Sequence, residues 1–279
     1  MIWAQSTIGA REVAGHYDEL DVFYRELWGE HVHHGLWSEG SEPPEIAVKQ
    51  LVDVIAEKAR IKPGDQVIDI GCGYGAPARQ LVDRYAANVT AVTLSPVQYA
   101  YCQSLAPGPK YLLGDWLAID LPTRNYQAAI AVEGSEHMPD RIAFFRKAFE
   151  VLAAGGRLVV SAWITRERPS AVEISLLLRP VCDEARIPCL PSLSELVQQA
   201  KTAGFAVVEG EDYTKSVYRT WSIILKRLIS RLARDRRYRD FLLDPRRQNR
   251  IFALTVLRIW LAYKVGAMRY GVITAVRGD

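Results

Sequence analysis

The chain has 279 residues, 49% of them hydrophobic and 24% charged, with a formal net charge of +3. Such a chain can bury a sizeable core without disulfides, and its composition excludes the disordered, collagen-like and cysteine-stapled classes. The charge is uneven: positions 219–250 hold eleven Arg and Lys against three Asp, leaving the remainder mildly acidic.

In chain order, the start "MIWAQSTIGAREVAG" lacks a cationic segment followed by a long apolar one, so no signal peptide is expected. Cys72, Cys102, Cys182 and Cys189 form no CxxC pair, which points to free thiols and a cytoplasmic protein. The stretch "GHYDELDVFYRELWGEHVHHGLW" is aromatic and histidine-rich, Pro43-Pro44 breaks it, and "EIAVKQLVDVIAEKARI" has apolar residues at helical spacing. Together these give an N-terminal helical lid segment over 1–60.

From position 61 the pattern alternates. "QVIDIG", "NVTAVTL", "KYLLGD", "YQAAIAVE" and "GGRLVVSAW" read as strands. Between them "APARQLVDRYA", "SPVQYAYCQSLA" and "RIAFFRKAFEVLA" read as helices. Strands alternating with helices predict an α/β chain with a parallel, doubly wound sheet. This Rossmann-like core spans 61–164, a helical insertion 165–190, and the core resumes over 191–215. There "SLSELVQQAKTAGF" has a Ser start, amphipathic spacing and a Gly stop, and "AVVEGEDY" reads as a strand. A helical cap over 216–266 precedes a final core strand, "RYGVITAVR", within 267–279. So long an excursion between strands suggests a cover over an active site.

The informative turn is "VIDIGCGYGAPARQL". Gly71, Gly73 and Gly75 allow close backbone approach and positive φ, and the helix after them points its first amides at a ligand. "GCGYGA" also satisfies the dinucleotide pattern G-x-G-x-x-G/A. Three neighbours argue against a dinucleotide. Asp69 before the turn would oppose a pyrophosphate but attract an ammonium group. The end of the second strand, where a nicotinamide site places an acid, is Thr93. "GDW" puts Asp115 where it can accept from an adenine amino group, with Trp116 offering an indole N–H or a flat face.

These residues resemble the class I S-adenosylmethionine-dependent methyltransferases. "VIDIGCGYG" matches the family's first motif, "EGSEHMPD" is similar to its fourth-strand motif, and "VLAAGGRLVVSAW" to its fifth. "VTLSPVQ", "FYRELWGEHVHHGLW" and "MRYGVITAVR" are similar to a small-molecule subgroup that includes tocopherol, sarcosine and sugar methyltransferases. The resemblance implies a seven-stranded sheet with an antiparallel last strand, and S-adenosylmethionine as cofactor. It implies that Ser95 and Gln98, or backbone groups, take over the ribose from the acid missing at Thr93, with Leu94 beside them. It also implies methyl transfer to a small molecule, aromatic or prenyl-lipid-like, at oxygen, nitrogen or carbon.

Methyl transfer from a sulfonium needs alignment, exclusion of water and, for a phenol or amine, removal of a proton. Aromatic faces suit the cationic sulfonium. Tyr17 is expected at the cofactor, and Tyr24, Trp28 and Trp37 near the acceptor, with core packing as the competing role. His137 is the expected general base and Glu136 a second candidate; a helix cap or a packing role competes. Glu133 is expected near the methionine end of the cofactor. "HVHH" invites a metal, but no nearby Cys or carboxylate completes a ligand set, so His33 is read as pocket wall and no metal is expected. Trp221, Ile224, Leu225, Leu228 and Leu232 give the basic segment an amphipathic helix. It is expected to cap the substrate through Trp221, and peripheral membrane contact through 219–250 competes with that role. Nucleic acid ranks last, because no RNA-binding module is present. A homo-oligomer is compatible with the sequence, and a non-catalytic nucleotide-binding module is the alternative to an enzyme.

Overall fold

The computed structural model describes residues 1–105 and 107–278. The chain opens with strand β1 (Ile2–Trp3) and helices α1 (Ala10–Leu27) and α2 (Pro44–Ala59). The alternating core follows: β2 (Gln66–Ile70), α3 (Ala76–Tyr85), β3 (Asn88–Thr93), α4 (Pro96–Ser104), β4 (Lys110–Leu113) and β5 (Tyr126–Val132). A single 3-10 turn at Ser135–His137 leads into α5 (Arg141–Val151) and β6 (Leu152–Thr165). Next come α6 (Ala171–Glu173), a π-helical stretch (Ile174–Leu178), α7 (Arg179–Glu184) and β7 (Cys189–Leu190). The last third holds α8 (Leu193–Thr202), β8 (Val207–Asp212), α9 (Thr214–Val217), α10 (Arg219–Arg234), α11 (Arg236–Leu243), α12 (Phe252–Lys264) and β9 (Met268–Val276). The expected end of the α4 helix at position 106 lies outside the described residues.

Seven strands form one sheet in the order β4-β3-β2-β5-β6-β9-β8. The first five are mutually parallel, and β9 runs antiparallel between β6 and β8. This is the doubly wound sheet with its reversed last strand that the sequence led us to expect. The central strands are apolar runs because helices cover both faces: Val67, Ile68 and Ile70 of β2 are buried, as are 128–132 of β5. Edge strand β8 reads "VVEGED" and is mostly exposed, and its charges discourage pairing with another chain.

Local chemistry sets the boundaries. Gly75, at φ +73°, is the N-cap of α3, and Pro77 stands in its first turn, where no N–H is needed. Ser95 caps α4 by accepting from Gln98 N, and Ser192 with Glu195 forms a reciprocal cap on α8. Beyond the expected elements, β1 pairs antiparallel with β7 as a separate two-stranded sheet, tying the N-terminus to the 165–190 insertion. α10 turns Trp221, Ile224 and Leu228 inward. No helix among the described residues is long and apolar enough to cross a membrane.

Candidate active site

The strands β2, β3, β4 and β5 end together, and the turns after them ring one cavity of about 830 Å³. Gly71 and Gly73 form one wall at φ +80° and +55°. Gly75 does not face the cavity. A Cβ there would lie 2.6 Å from Tyr111 Oη, so this glycine is required by the neighbouring ring as well as by its φ. Gly134, which the sequence reading passed over, is under the same pressure. Its Cβ would stand 2.4 Å from Ile70 O, so the ends of β2 and β5 can meet only over a glycine. A glycine directly after a strand-end glutamate was the available signal.

Asp115 also lines this cavity. One of its oxygens accepts from Leu117 N at 2.9 Å, and the other has no donor among the described residues. Trp116 contributes a face only, since its indole N–H donates to Phe144 O at 3.3 Å. Leu94, Ser95 and Gln98 line the wall after β3. Ser95 Oγ donates to Asp18 of α1, and Thr93 Oγ1 donates to Gln98 Oε1 at 2.8 Å. Gln98 is thereby oriented with its amide nitrogen toward Gly73. Asp69 is fully enclosed behind the turn and borders neither cavity. Neither of its oxygens has a partner among the described residues, and burial pushes its carboxyl up to about 7.

A second cavity of about 840 Å³ adjoins the first. Its walls are largely apolar and aromatic, from α1 (Leu20, Phe23, Tyr24), Trp28, Trp163, Trp221 of α10, and Val256 and Ile259 of α12. The structure therefore brings Tyr24, Trp28 and Trp221 together. His33 and Trp37 instead face a surface groove with Pro44, Lys49 and Thr220, and Trp37 Nε1 donates to Glu42 O at 2.9 Å. His31 and His33 bond to each other at 2.9 Å, and burial lowers both imidazole pKa values. No cluster of three metal-ligating side chains occurs among the described residues.

Four residues border both cavities: Tyr17, Val32, Glu133 and His137. Tyr17 Oη lies 2.8 Å from His137 Nε2, and His137 Nδ1 lies 2.8 Å from Arg186 O. Since a carbonyl only accepts, Nδ1 carries the hydrogen and Nε2 accepts from Tyr17. Burial lowers the pKa of His137 and raises that of Tyr17, so the imidazole is neutral and the phenol protonated near pH 7.

Glu133, at φ +56°, is a saturated carboxylate. One oxygen accepts from His34 N at 2.7 Å, His34 Nδ1 at 2.9 Å and Tyr270 Oη at 2.8 Å, and the other from Trp163 Nε1 at 2.7 Å. Burial alone would raise its pKa, but the hydrogen bonds of its neighbours, those from His34 first, outweigh it and hold the group ionised. Trp221 Nε1 donates to the far nitrogen of His34 at 2.7 Å, linking the cap to this network. Glu136 is the opposite case. Oε1 accepts from Trp163 N, Oε2 is buried with no partner among the described residues, and burial followed by the charge of Glu133 pushes the carboxyl up to about 8. Two carboxyls three positions apart thus stay in different protonation states.

Polar groups in the second cavity that sequence reasoning missed are His16, Glu184 and Thr255. His16 is held neutral by burial, between Asn249 and Tyr24. The spacing of Ala10, Val13, Ala14 and Tyr17 along one helix face was the signal that α1 covers the first cavity.

Residues 4–240 match the family described as mycolic acid cyclopropane synthetase. The 2-methyl-6-phytyl-1,4-hydroquinone methyltransferase of Synechocystis sp. (strain ATCC 27184 / PCC 6803 / Kazusa) is 28% identical, covering 99% of this chain and 91% of that protein. A probable chloroplastic tocopherol O-methyltransferase of Oryza sativa subsp. japonica is 29% identical over 77% of this chain; the match spans 65% of the rice protein. Among solved structures, the cyclopropane synthase MmaA2 from Mycobacterium tuberculosis superposes with a TM-score of 0.83, covering 98% of this chain and 100% of that one at 21% identity. That last likeness is one of fold.

Proposed function

This chain belongs to the mycolic acid cyclopropane synthetase family and is an S-adenosylmethionine-dependent methyltransferase of a small molecule, and from that premise we propose that it O-methylates an apolar hydroxy compound of the prenylated-phenol kind. The residues of the first cavity fit the cofactor. Asp115 has an oxygen free for an amino group, the Gly71–Gly73 wall allows close approach, and the orphaned carboxyl of Asp69 lies behind the turn as a latent negative charge. When bound, the cofactor supplies an electrophilic methyl group on a sulfonium, which moves by in-line displacement.

The chain's own part is to bind, orient and deprotonate. The aromatic walls of the second cavity take an apolar body and keep water away from the junction. Proton removal falls to the Tyr17–His137 pair. An acceptor hydroxyl gives its proton to Tyr17 Oη as Tyr17 passes its own to His137 Nε2, and the Arg186 carbonyl steadies the resulting imidazolium through Nδ1. Glu133, ionised at the junction, favours that positive charge. The names of the relatives, tocopherol and phytyl-hydroquinone methyltransferases, support an acceptor with an apolar tail and a ring hydroxyl.

The observation that carries this reading is the neutral imidazole accepting from Tyr17 where the two cavities meet. The test is turnover on a panel of prenylated phenols, plain phenols and amines, with the product's methylated atom identified by mass spectrometry. Prenylated phenols should be methylated at oxygen, and His137→Gln should lower kcat by roughly 10²–10⁴-fold, in the range of general-base loss. Turnover of amines alone, or an unchanged kcat in that variant, would overturn it.

A further inference from the structure

The cap helix α12 has two apolar faces. Inward, Thr255, Val256 and Ile259 wall the acceptor cavity. Outward, Leu254, Leu257, Leu261 and Val265 recur at three- and four-residue spacing, and each is at least 40% exposed. Three to four residues apart is one helix face, so these side chains form a continuous stripe. Beside α12 packs the 171–184 insertion, which exposes Val172 and Leu176 even more fully. Isolated exposed leucines need no explanation; a file of them along one helix does.

Charge narrows what covers the stripe. From 245 to 278 the chain has seven Arg and Lys and no Asp or Glu. Lys264 and Arg250 flank the stripe, and α12 itself contributes no acid to it. Arg258, on the same side, is paired with Glu184. The acids beside the stripe, Glu173 and Glu184, are already paired with Arg166 and Arg258, so a second copy seated face to face would bring the remaining like charges together. An anionic lipid surface offers acyl chains for the leucines and headgroup charge for Arg250 and Lys264.

We propose that the outer face of α12, with Val172 and Leu176 beside it, docks the protein on an anionic lipid bilayer. The apolar stripe then lies one helix thickness from the acceptor cavity. This deepens the reading of an apolar acceptor, on which its purpose rests, by making the bilayer the place from which the acceptor comes. It also moves membrane contact away from the basic helix α10, whose apolar residues Trp221, Ile224 and Leu228 are buried.

The experiment is co-sedimentation of the full chain with vesicles of mixed phosphatidylglycerol and phosphatidylcholine, and with phosphatidylcholine alone. The wild type should partition onto the anionic vesicles, more weakly at high salt. Leu257→Asp with Leu261→Asp should weaken this at least about tenfold, since two leucines lose their burial and gain charges that repel the surface. Ile229→Asp on α10 should leave it unchanged. The melting shift with S-adenosylhomocysteine, retained in the double variant, reports an intact fold and cofactor site, and turnover of a short-chain soluble phenol is read separately. A failed acceptor reading and a failed docking surface are therefore distinct results. If the double variant does not fold, Leu261→Ser gives the same contrast at smaller amplitude. The proposal is overturned if the wild type ignores anionic vesicles, if the stripe variants partition like wild type, if Ile229→Asp abolishes partitioning, or if sedimentation velocity shows a dimer that the stripe variants dissolve.

Discussion

At the scale of single residues, the site depends on keeping like groups in unlike states. Glu133 and Glu136 share a strand end, yet four donors hold the first ionised while the second keeps a bare oxygen. The consequence is a pH dependence with a definite sign. Glu136 has a folded pKa of about 8 against an ordinary 4.5, so the folded chain holds this proton more tightly than the unfolded chain. Its contribution is intact below about 4.5 and is lost as pH rises through about 8. Glu136→Gln, which removes the ionisation at nearly constant shape, should therefore melt close to wild type at about pH 5 and clearly above it at about pH 9, by an amount on the order of a few kcal/mol. Thermal denaturation across that range checks it; an equal offset at both ends would show that shape, not charge, is responsible. Much of this was legible in the sequence as residue identity. His137, Glu136 and Asp115 were picked out from the strand ends near which they stand, and Tyr17 from the aromatic N-terminal segment. Their protonation states were not, because burial and partners from distant segments set them: Arg186 for His137, His34 for Glu133.

Between elements, the decisive contacts are where strand ends cross. Gly134 lets the turn after β5 lie against the end of β2, with Gly71 Cα 3.2 Å from the place its Cβ would occupy. Gly134→Ala must push one of these turns aside. Overpacking of this kind costs about 1–3 kcal/mol, and here the displaced turn is itself a wall of the first cavity, the proposed cofactor site. The variant should lose several degrees of melting temperature and bind S-adenosylhomocysteine much more weakly, both measurable by thermal shift. Gly40→Ala, at positive φ (unlike Gly134) and in open space, should lose stability without losing affinity. The seven strands were legible because their apolar runs are continuous and bounded by glycine, proline and polar turns. The two-residue pair β1 and β7 was not, since two residues have no period and their partner lies about 190 positions away along the chain. The loop holding His33 and Trp37 was illegible for a related reason. Without periodicity, a loop's side chains go where tertiary contacts send them, and here they face the outer groove.

Across the whole molecule, the parallel strands present their C-terminal ends together, and helices α1, α10 and α12 fold back over those ends. Helix α1 is fastened there by Tyr17 to His137, Asp18 to Ser95, and Asp21 to Tyr74. Helices α10 and α12 close the neighbouring cavity. One cavity is thus built from backbone turns and a few polar side chains, the other from aromatic and aliphatic walls, with Tyr17, Val32, Glu133 and His137 shared between them. That division of labour underlies the proposed reaction, in which the turn side would hold the methyl donor, the walled side the acceptor, and transfer would occur at the shared residues. The most direct measurement is a crystal structure with S-adenosylhomocysteine. The account predicts the adenine amino group on Asp115 and the sulfur beside the four shared residues. An adenosyl group lodged among the aromatic walls, or a sulfur remote from Tyr17 and His137, would contradict it.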